Sequence, residues 1–316
     1  MKRAFAVLAC LVVPGTVLSW FDVAWFDVAG FDVAGFDGSG IAAQAQDRPL
    51  DVLAQSLRPD RLLTYKTVAG RDLKLHVFEP EGHKCSDRRS VFLIIHGGGW
   101  TGGYPWRCYP FADEFRRLGM VAITIDYRLL NQPPGTTVLD CVRDGRSAVR
   151  AVRSHAADLG IDPHRVVVAG CSAGGHVAAG TFLFTDVDDP ADDTGISCVP
   201  DAVVLYYPVI DTSADGYGQK KIGEDWMQLS PVDRVRPGLP PTLVFHGTAD
   251  TVTPFAGVQR FHQRMLSAGN ECELVAHEGG RHGWFIFDLQ QFREVMSQTK
   301  RFLVQRTFVS GQTSDN

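Results

Sequence analysis

Arg165-Val-Val-Val-Ala-Gly-Cys-Ser-Ala-Gly-Gly-His176 is the stretch on which the reading of this 316-residue chain turns. Positions 166–169 form a short, β-branched apolar run, which reads as a buried central strand. The run stops at Gly170-Cys-Ser-Ala-Gly174, and a small-residue segment of helical character follows over 176–184. Strand, G-x-S-x-G turn and helix in that order make a nucleophile elbow. The glycines let the backbone reverse sharply enough to push Ser172 into a strained, exposed position. The N–H of Ala173 then points at the same place as the serine oxygen.

Outward from this stretch, strand-like and helix-like segments alternate. Strands are expected at 62–68 and 73–78, an opening pair around Gly70, and at 91–95, 121–126, 202–207, 242–246 and 273–277. Helices are expected at 109–118, at 137–159 with Gly160 as its C-cap, at 254–268 and at 287–305. Such alternation predicts an α/β fold, a mostly parallel central sheet with helices on both faces and sites beyond the carboxyl ends of the strands. The boundaries that follow are a leader over 1–45, a loosely held segment over 46–60, one domain over 61–306 and a disordered tail over 307–316. The irregular stretch 211–240 is expected to be a short lid.

A serine hydroxyl needs a base to take its proton, and the base needs an orienting acid. Both should sit past strands downstream of the elbow, acid first. Strand 242–246 runs into Gly247-Thr-Ala-Asp250, and strand 273–277 runs into Glu278-Gly-Gly-Arg-His282. Asp250 is therefore the acid and His282 the base, preferred over Asp211 and over His277, which lies within its strand run. The oxyanion of an acyl-transfer intermediate needs preorganised donors, and successive glycines let backbone N–H groups approach it. His96-Gly97-Gly98-Gly99 supplies them after strand 91–95, with Gly97 and Gly98 as donors beside Ala173. Gly97-x-Gly99-x-x-Gly102 also fits a dinucleotide fingerprint, with Asp126 ending the next strand. Pro105-Trp106 stand where the phosphate-binding helix should have begun, which argues against that use. Trp100, Tyr104, Trp106 and Trp284 lie beside the glycine loop or the histidine in sequence, and are candidates to stack on a sugar or aromatic ring.

His96-Gly-Gly-Gly-Trp100, Asp126-Tyr-Arg-Leu129, the elbow, His246-Gly-Thr-Ala-Asp250 and Arg281-His-Gly283 together resemble the α/β-hydrolase fold. Within it they resemble the esterases and lipases related to hormone-sensitive lipase and the bacterial carbohydrate-esterase-like acetyl and feruloyl esterases. Many hormone-sensitive-lipase relatives carry Asp before the nucleophile; Cys171 here tilts the likeness toward the second branch. The resemblance implies a serine ester hydrolase with the roles assigned above and Arg128 as a structural anchor; no cofactor is expected, and with no C-x-x-C or H-E-x-x-H the sequence offers no metal site. The lid lacks the long apolar helices of a true lipase, so short-acyl, acetyl-type esters, among them aryl esters and acylated carbohydrates, are the expected substrates. An amidase or peptidase with the same triad is the rival, and a non-catalytic binding protein of this fold comes after it.

The remaining composition narrows the setting. A net charge of −5 and the lack of a long basic run give no footprint for nucleic acid. No segment past the N-terminus has the length and purity of a membrane span. Lys2-Arg3 followed by an apolar run over 4–13 reads as an export signal, for a periplasmic or secreted protein. Ala43-Gln-Ala45 is the best cleavage site, and too few residues precede Cys10 for a lipobox. The Phe-Asp-Val-Ala repeat between 20 and 37 is too short in period for a solenoid and reads as a tandem expansion in the leader. The cysteines after Cys10 permit disulfides in an exported chain without fixing a pairing, and Cys171 in the elbow reads as a free, packed thiol.

Overall fold

A computed structural model describes residues 48–310. The proposed export signal, the repeat and the last residues of the expected tail lie outside them. The strands are β1 (Arg61–Val68), β2 (Arg71–Phe78), β3 (Arg89–Ile95), β4 (Val121–Ile125), β5 (Ile161–Cys171), β6 (Ala202–Tyr206), β7 (Thr242–Gly247) and β8 (Cys272–His277). The helices are α1 (Pro49–Gln55), α2 (Tyr109–Arg117), α3 (Val138–Ser154), α4 (Ala173–Gly180), α5 (Gln219–Ile222), α6 (Phe255–Ser267) and α7 (Leu289–Gln305). One sheet runs in the order β1-β2-β4-β3-β5-β6-β7-β8. β1 and β2 pair antiparallel, as do β2 and β4, and every pairing from β4 to β8 is parallel.

The side-chain alternation of a strand explains why both faces are covered. On β3, Val91, Leu93 and Ile95 point into one core, with α3, α4 and α6, while Phe92 and Ile94 point into the other, with α1, α2 and α7. β5 lies at the centre with 166–171 buried, so the residue that follows it emerges from the middle of the carboxyl edge.

Three expectations need correction. The segment 46–60 is not loose throughout: α1 forms there and buries Leu50 and Ala54 against the second core. Helix α3 starts at a capping box, Thr137 and Asp140 each bonding the other's backbone N–H, but it ends at Ser154. Gly160 therefore caps no helix; at φ 58° it turns the chain into β5, so tightly that a Cβ there would lie 2.3 Å from the Lys84 carbonyl oxygen. The start of the expected tail is also held, since Val309 is buried and Arg165 lies over the Phe308 ring. The segment 211–240, the expected short lid, packs on the fold through buried Leu229, Ser230 and Val232, which leaves that expectation unchanged. The six cysteines among the described residues are all unpaired, and all but Cys85 are buried as small packing groups.

Candidate active site

Ser172 sits between β5 and α4 with φ 54° and ψ −120°, a conformation that L-residues rarely adopt. Its surroundings determine it. The Ser172 N–H donates to the Tyr206 carbonyl at 3.0 Å, and its own carbonyl accepts from Val209 and His176 at 3.0 and 3.2 Å. Two residues on, a Cβ at Gly174 would stand 2.2 Å from the Ile95 carbonyl oxygen and 2.3 Å from that of His96. Only glycine lets α4 approach the end of β3 so closely.

The structure brings the three residues chosen for nucleophile, acid and base into one hydrogen-bond chain. His282 Nε2 is 2.9 Å from Ser172 Oγ, and His282 Nδ1 is 2.7 Å from Asp250 Oδ2. An ionised carboxylate only accepts, so Nδ1 carries the hydrogen and Nε2 faces the serine as acceptor. Asp250 is buried in a turn that saturates it. Oδ1 accepts from the N–H groups of Val252 and Thr253, both at 2.8 Å, and Oδ2 accepts from the Thr253 hydroxyl at 2.9 Å. Burial pushes the Asp250 carboxyl up, but the His282 hydrogen bond and charge, the Thr253 N–H and nearby His246 outweigh it and hold the group below its ordinary value. The rivals are placed elsewhere. Asp211 is ion-paired with Arg260, and His277 stacks on Trp284 with ring centroids 4.9 Å apart.

The glycine loop after β3 lies against the elbow: a Cβ on Gly97 would come 3.0 Å from the Ser172 Cβ. Burial pulls the His96 imidazole down to about 4, against the opposing effect of the Gly97 carbonyl. The neutral ring donates from Nδ1 to that carbonyl at 2.8 Å and so orients the Gly97–Gly98 peptide. Gly98 has φ 126°, and its carbonyl accepts from Thr101 and Gly102. Among the described residues, no protein acceptor bonds the N–H of Gly97, Gly98 or Ala173. Those donors are available to a substrate oxygen. The competing dinucleotide reading loses its partner as well, because Asp126 is bonded to the Lys74 N–H and to His76.

The four aromatic candidates separate. Trp100 is fully buried beneath the docked segment, edge-on to His176 and so close to Gly218 that a Cβ there would lie 2.5 Å from its ring. It is a packing residue and presents no surface to a substrate. Tyr104 is exposed and stacks near-parallel on half-buried Trp106, with planes 15° apart. Trp284 packs on His277 and edge-on to Phe285. Arg128 binds Asp144 through Nε and Nη2 at 2.8 and 2.7 Å, and Lys66 adds a contact to the same carboxylate at 2.9 Å. That buried cluster anchors the chain after β4 to α3.

Two neighbours of the Asp250–His282–Ser172 hydrogen-bond chain were not foreseen. Thr253 lies three residues past Asp250 and bonds it through both backbone and hydroxyl; the D-x-x-T spacing of a side-chain-capped turn was the available signal. Tyr207, at φ 37°, sets its ring edge-on to His282 with centroids 4.9 Å apart, and nothing local in the sequence marks it. Among the described residues, no group of three or more His, Cys, Asp or Glu side chains is arranged to hold a metal ion, and no helix is long and apolar enough to cross a membrane.

The BD-FAE family model matches residues 75–265. Esterase LipQ of Mycobacterium tuberculosis is 28% identical over 236 residues, covering 68% of this chain and 55% of LipQ. A probable isoprenylcysteine alpha-carbonyl methylesterase of Arabidopsis thaliana is 25% identical over 61% of this chain and 45% of its own length, so the chain spans about half the length of these curated relatives. The apo form of Thermogutta terrifontis esterase 2 superposes with a TM-score of 0.76 at 39% identity, covering 80% of this chain and 96% of that one. The same esterase with butyrate bound gives 0.75 at 38% identity over the same shares. With the sheet order, the elbow and these matches together, the chain belongs to the BD-FAE family of α/β-hydrolase esterases.

Proposed function

We propose that the chain is a carboxylic ester hydrolase that cleaves short-acyl, acetyl-type esters of aryl alcohols or carbohydrates through an acyl-enzyme on Ser172. The observation that carries this reading is the hydrogen-bond chain from Asp250 through His282 to Ser172 Oγ, beside backbone donors with no protein acceptor. As Oγ attacks the ester carbonyl, its proton passes to His282 Nε2, and ionised Asp250 stabilises the imidazolium that forms. The carbonyl oxygen, now an anion, is bound by the N–H groups of Ala173, Gly98 and Gly97; one such donor contributes about 3 kcal/mol to the transition state. His282 then returns the proton to the departing alcohol. Water repeats the sequence on the acyl-enzyme, releasing the acid and restoring Ser172.

Two observations support a short acyl group. The docked segment 211–240 offers only the four-residue α5 and 3-10 turns, with no long apolar helix to open onto an oil surface. The Thermogutta relative holds butyrate. The stacked Tyr104–Trp106 pair after the glycine loop supports an aromatic or sugar alcohol. Export belongs to the same proposal and rests on Lys2-Arg3 and the apolar run over 4–13. The deciding assay is hydrolysis of p-nitrophenyl acetate, butyrate and decanoate by the full chain and by Ser172→Ala. Acetate and butyrate should turn over fast, decanoate slowly, and the variant should lose about 10⁴-fold or more. A flat chain-length profile would overturn the short-acyl preference, and undiminished turnover by the variant would overturn the mechanism.

A further inference from the structure

Between β8 and α7 lies a cleft of about 130 Å³ that the proposed chemistry leaves unused, since Ser172, Asp250 and His282 do not line it. One wall is aromatic. His277 and Trp284 stack with planes only 7° apart, and Trp284 is half-buried, so part of it meets solvent. The opposite wall is polar: Gln291, Glu294 and Gln298, at helical spacing, come from one face of α7, with Val295 at the base. Among the described residues, neither the Gln291 nor the Gln298 amide makes a side-chain hydrogen bond, and Glu294 Oε1 accepts only from Gln290.

We propose that this cleft is an accessory binding site for one neutral, unesterified sugar ring. Size sets the first limit. Pockets for drug-sized ligands hold about 300–1,000 Å³, whereas a cavity of about 150 Å³ takes a single six-membered ring. Chemistry sets the second. A sugar ring has an apolar C–H face that suits an aromatic wall, and hydroxyls that both donate and accept. Two free amides meet both needs, and the carboxylate accepts from further hydroxyls. An organic anion would face Glu294 directly. A bare apolar ring would leave the Gln291 and Gln298 amides without partners. His277 ends β8 and Trp284 follows the loop that carries His282, so the cleft borders the same carboxyl edge of the sheet as the triad. This goes beyond the ester-hydrolase reading, because an unesterified unit offers Ser172 no bond to attack.

The test separates the two readings. Xylose, xylotriose, glucose and choline are titrated calorimetrically into the full-length Ser172→Ala chain, which makes binding independent of turnover. A neutral sugar should saturate with a Kd of roughly millimolar order, as expected for so small a ligand. In the same background, Gln291→Leu with Gln298→Leu should weaken binding at least tenfold, while the same pair in the active chain leaves p-nitrophenyl butyrate hydrolysis unchanged. Should that pair lower the melting temperature, Glu294→Ala, at an exposed position, carries the test and should weaken binding several-fold. Failure of every sugar to saturate at about 100 mM, binding that survives both sets of substitutions, or saturation by choline alone would each overturn the proposal. None of these results bears on whether Ser172 cleaves esters.

Discussion

The turn after β5, which carries Ser172, and the turn after β7, which carries Asp250, present the two ends of one hydrogen-bond chain joined by His282, but are held by different means. At the elbow, the backbone is fixed by contact between main-chain atoms. Gly174 lies against the carbonyls of Ile95 and His96, and Ser172 itself is bonded to the chain after β6. At the acid turn, the fixing agent is polar: the Asp250 carboxylate gathers two N–H groups and a hydroxyl from the residues that follow it. A nucleophile must stand exposed in a strained conformation, so its neighbours are pared down to let other segments close in. An acid that must stay ionised while buried needs donors instead. The comparison predicts that substitutions of the elbow glycines act mainly on folding, and substitutions at the acid turn mainly on turnover.

The largest effect is expected at the acid itself. Asp250→Asn keeps the shape but presents an amide to His282, favouring the wrong tautomer, and kcat for p-nitrophenyl butyrate should fall about 10⁴-fold, with a modest drop in melting temperature at neutral pH. Next comes Gly174→Ala, whose methyl would meet two backbone carbonyls that have no rotamer to move into. It should destabilise by about 3 kcal/mol or more, read as lost soluble yield or a lower denaturant midpoint. If it left stability intact and only slowed turnover, the contrast between the two turns would fail. Thr253→Val removes the hydroxyl from Asp250 Oδ2 at nearly constant volume, and kcat should drop about tenfold with KM unchanged.

The smallest effect is a pH linkage. The folded-state carboxyl of Asp250 is held below its ordinary value, so its ionisation stabilises the fold above about pH 4 and that contribution is lost as pH falls through the lower folded value. Melting temperatures of the parent and Asp250→Asn should therefore converge, relative to their neutral-pH difference, as the solution is acidified below about pH 4. A difference that stays constant across that range would show that the carboxylate gains nothing from its donors.

The same contrast explains which parts of the site could be read in advance. The elbow and glycine loop are spelled out locally, because a glycine needed for a close approach or for a φ of 126° has no substitute. That Asp250 and His282 would meet Ser172 was legible from their places just past strands and from their order in the chain. Thr253 was within reach of the same logic, three residues from the acid. Tyr207 was not, since its edge-on contact with His282 joins the ends of strands distant in sequence.

The sequence by itself therefore determined the alternation of strands and helices, the position of the serine turn and the glycine-built cradle, all of which depend on local backbone preference and short-range periodicity. Tertiary structure decided the rest. Trp100, beside the glycine loop in sequence, is sealed under Gly218 and has no face left for a substrate. Trp284 joins His277 in a wall of the cleft at α7, while Tyr104 and Trp106 form a stacked pair of their own. The chain over 49–55, polar enough to read as loose, became a helix because the second core had room for Leu50 and Ala54. Burial and partnership are relations between segments far apart along the chain, and they are set only when the sheet and its two layers of helices close around them.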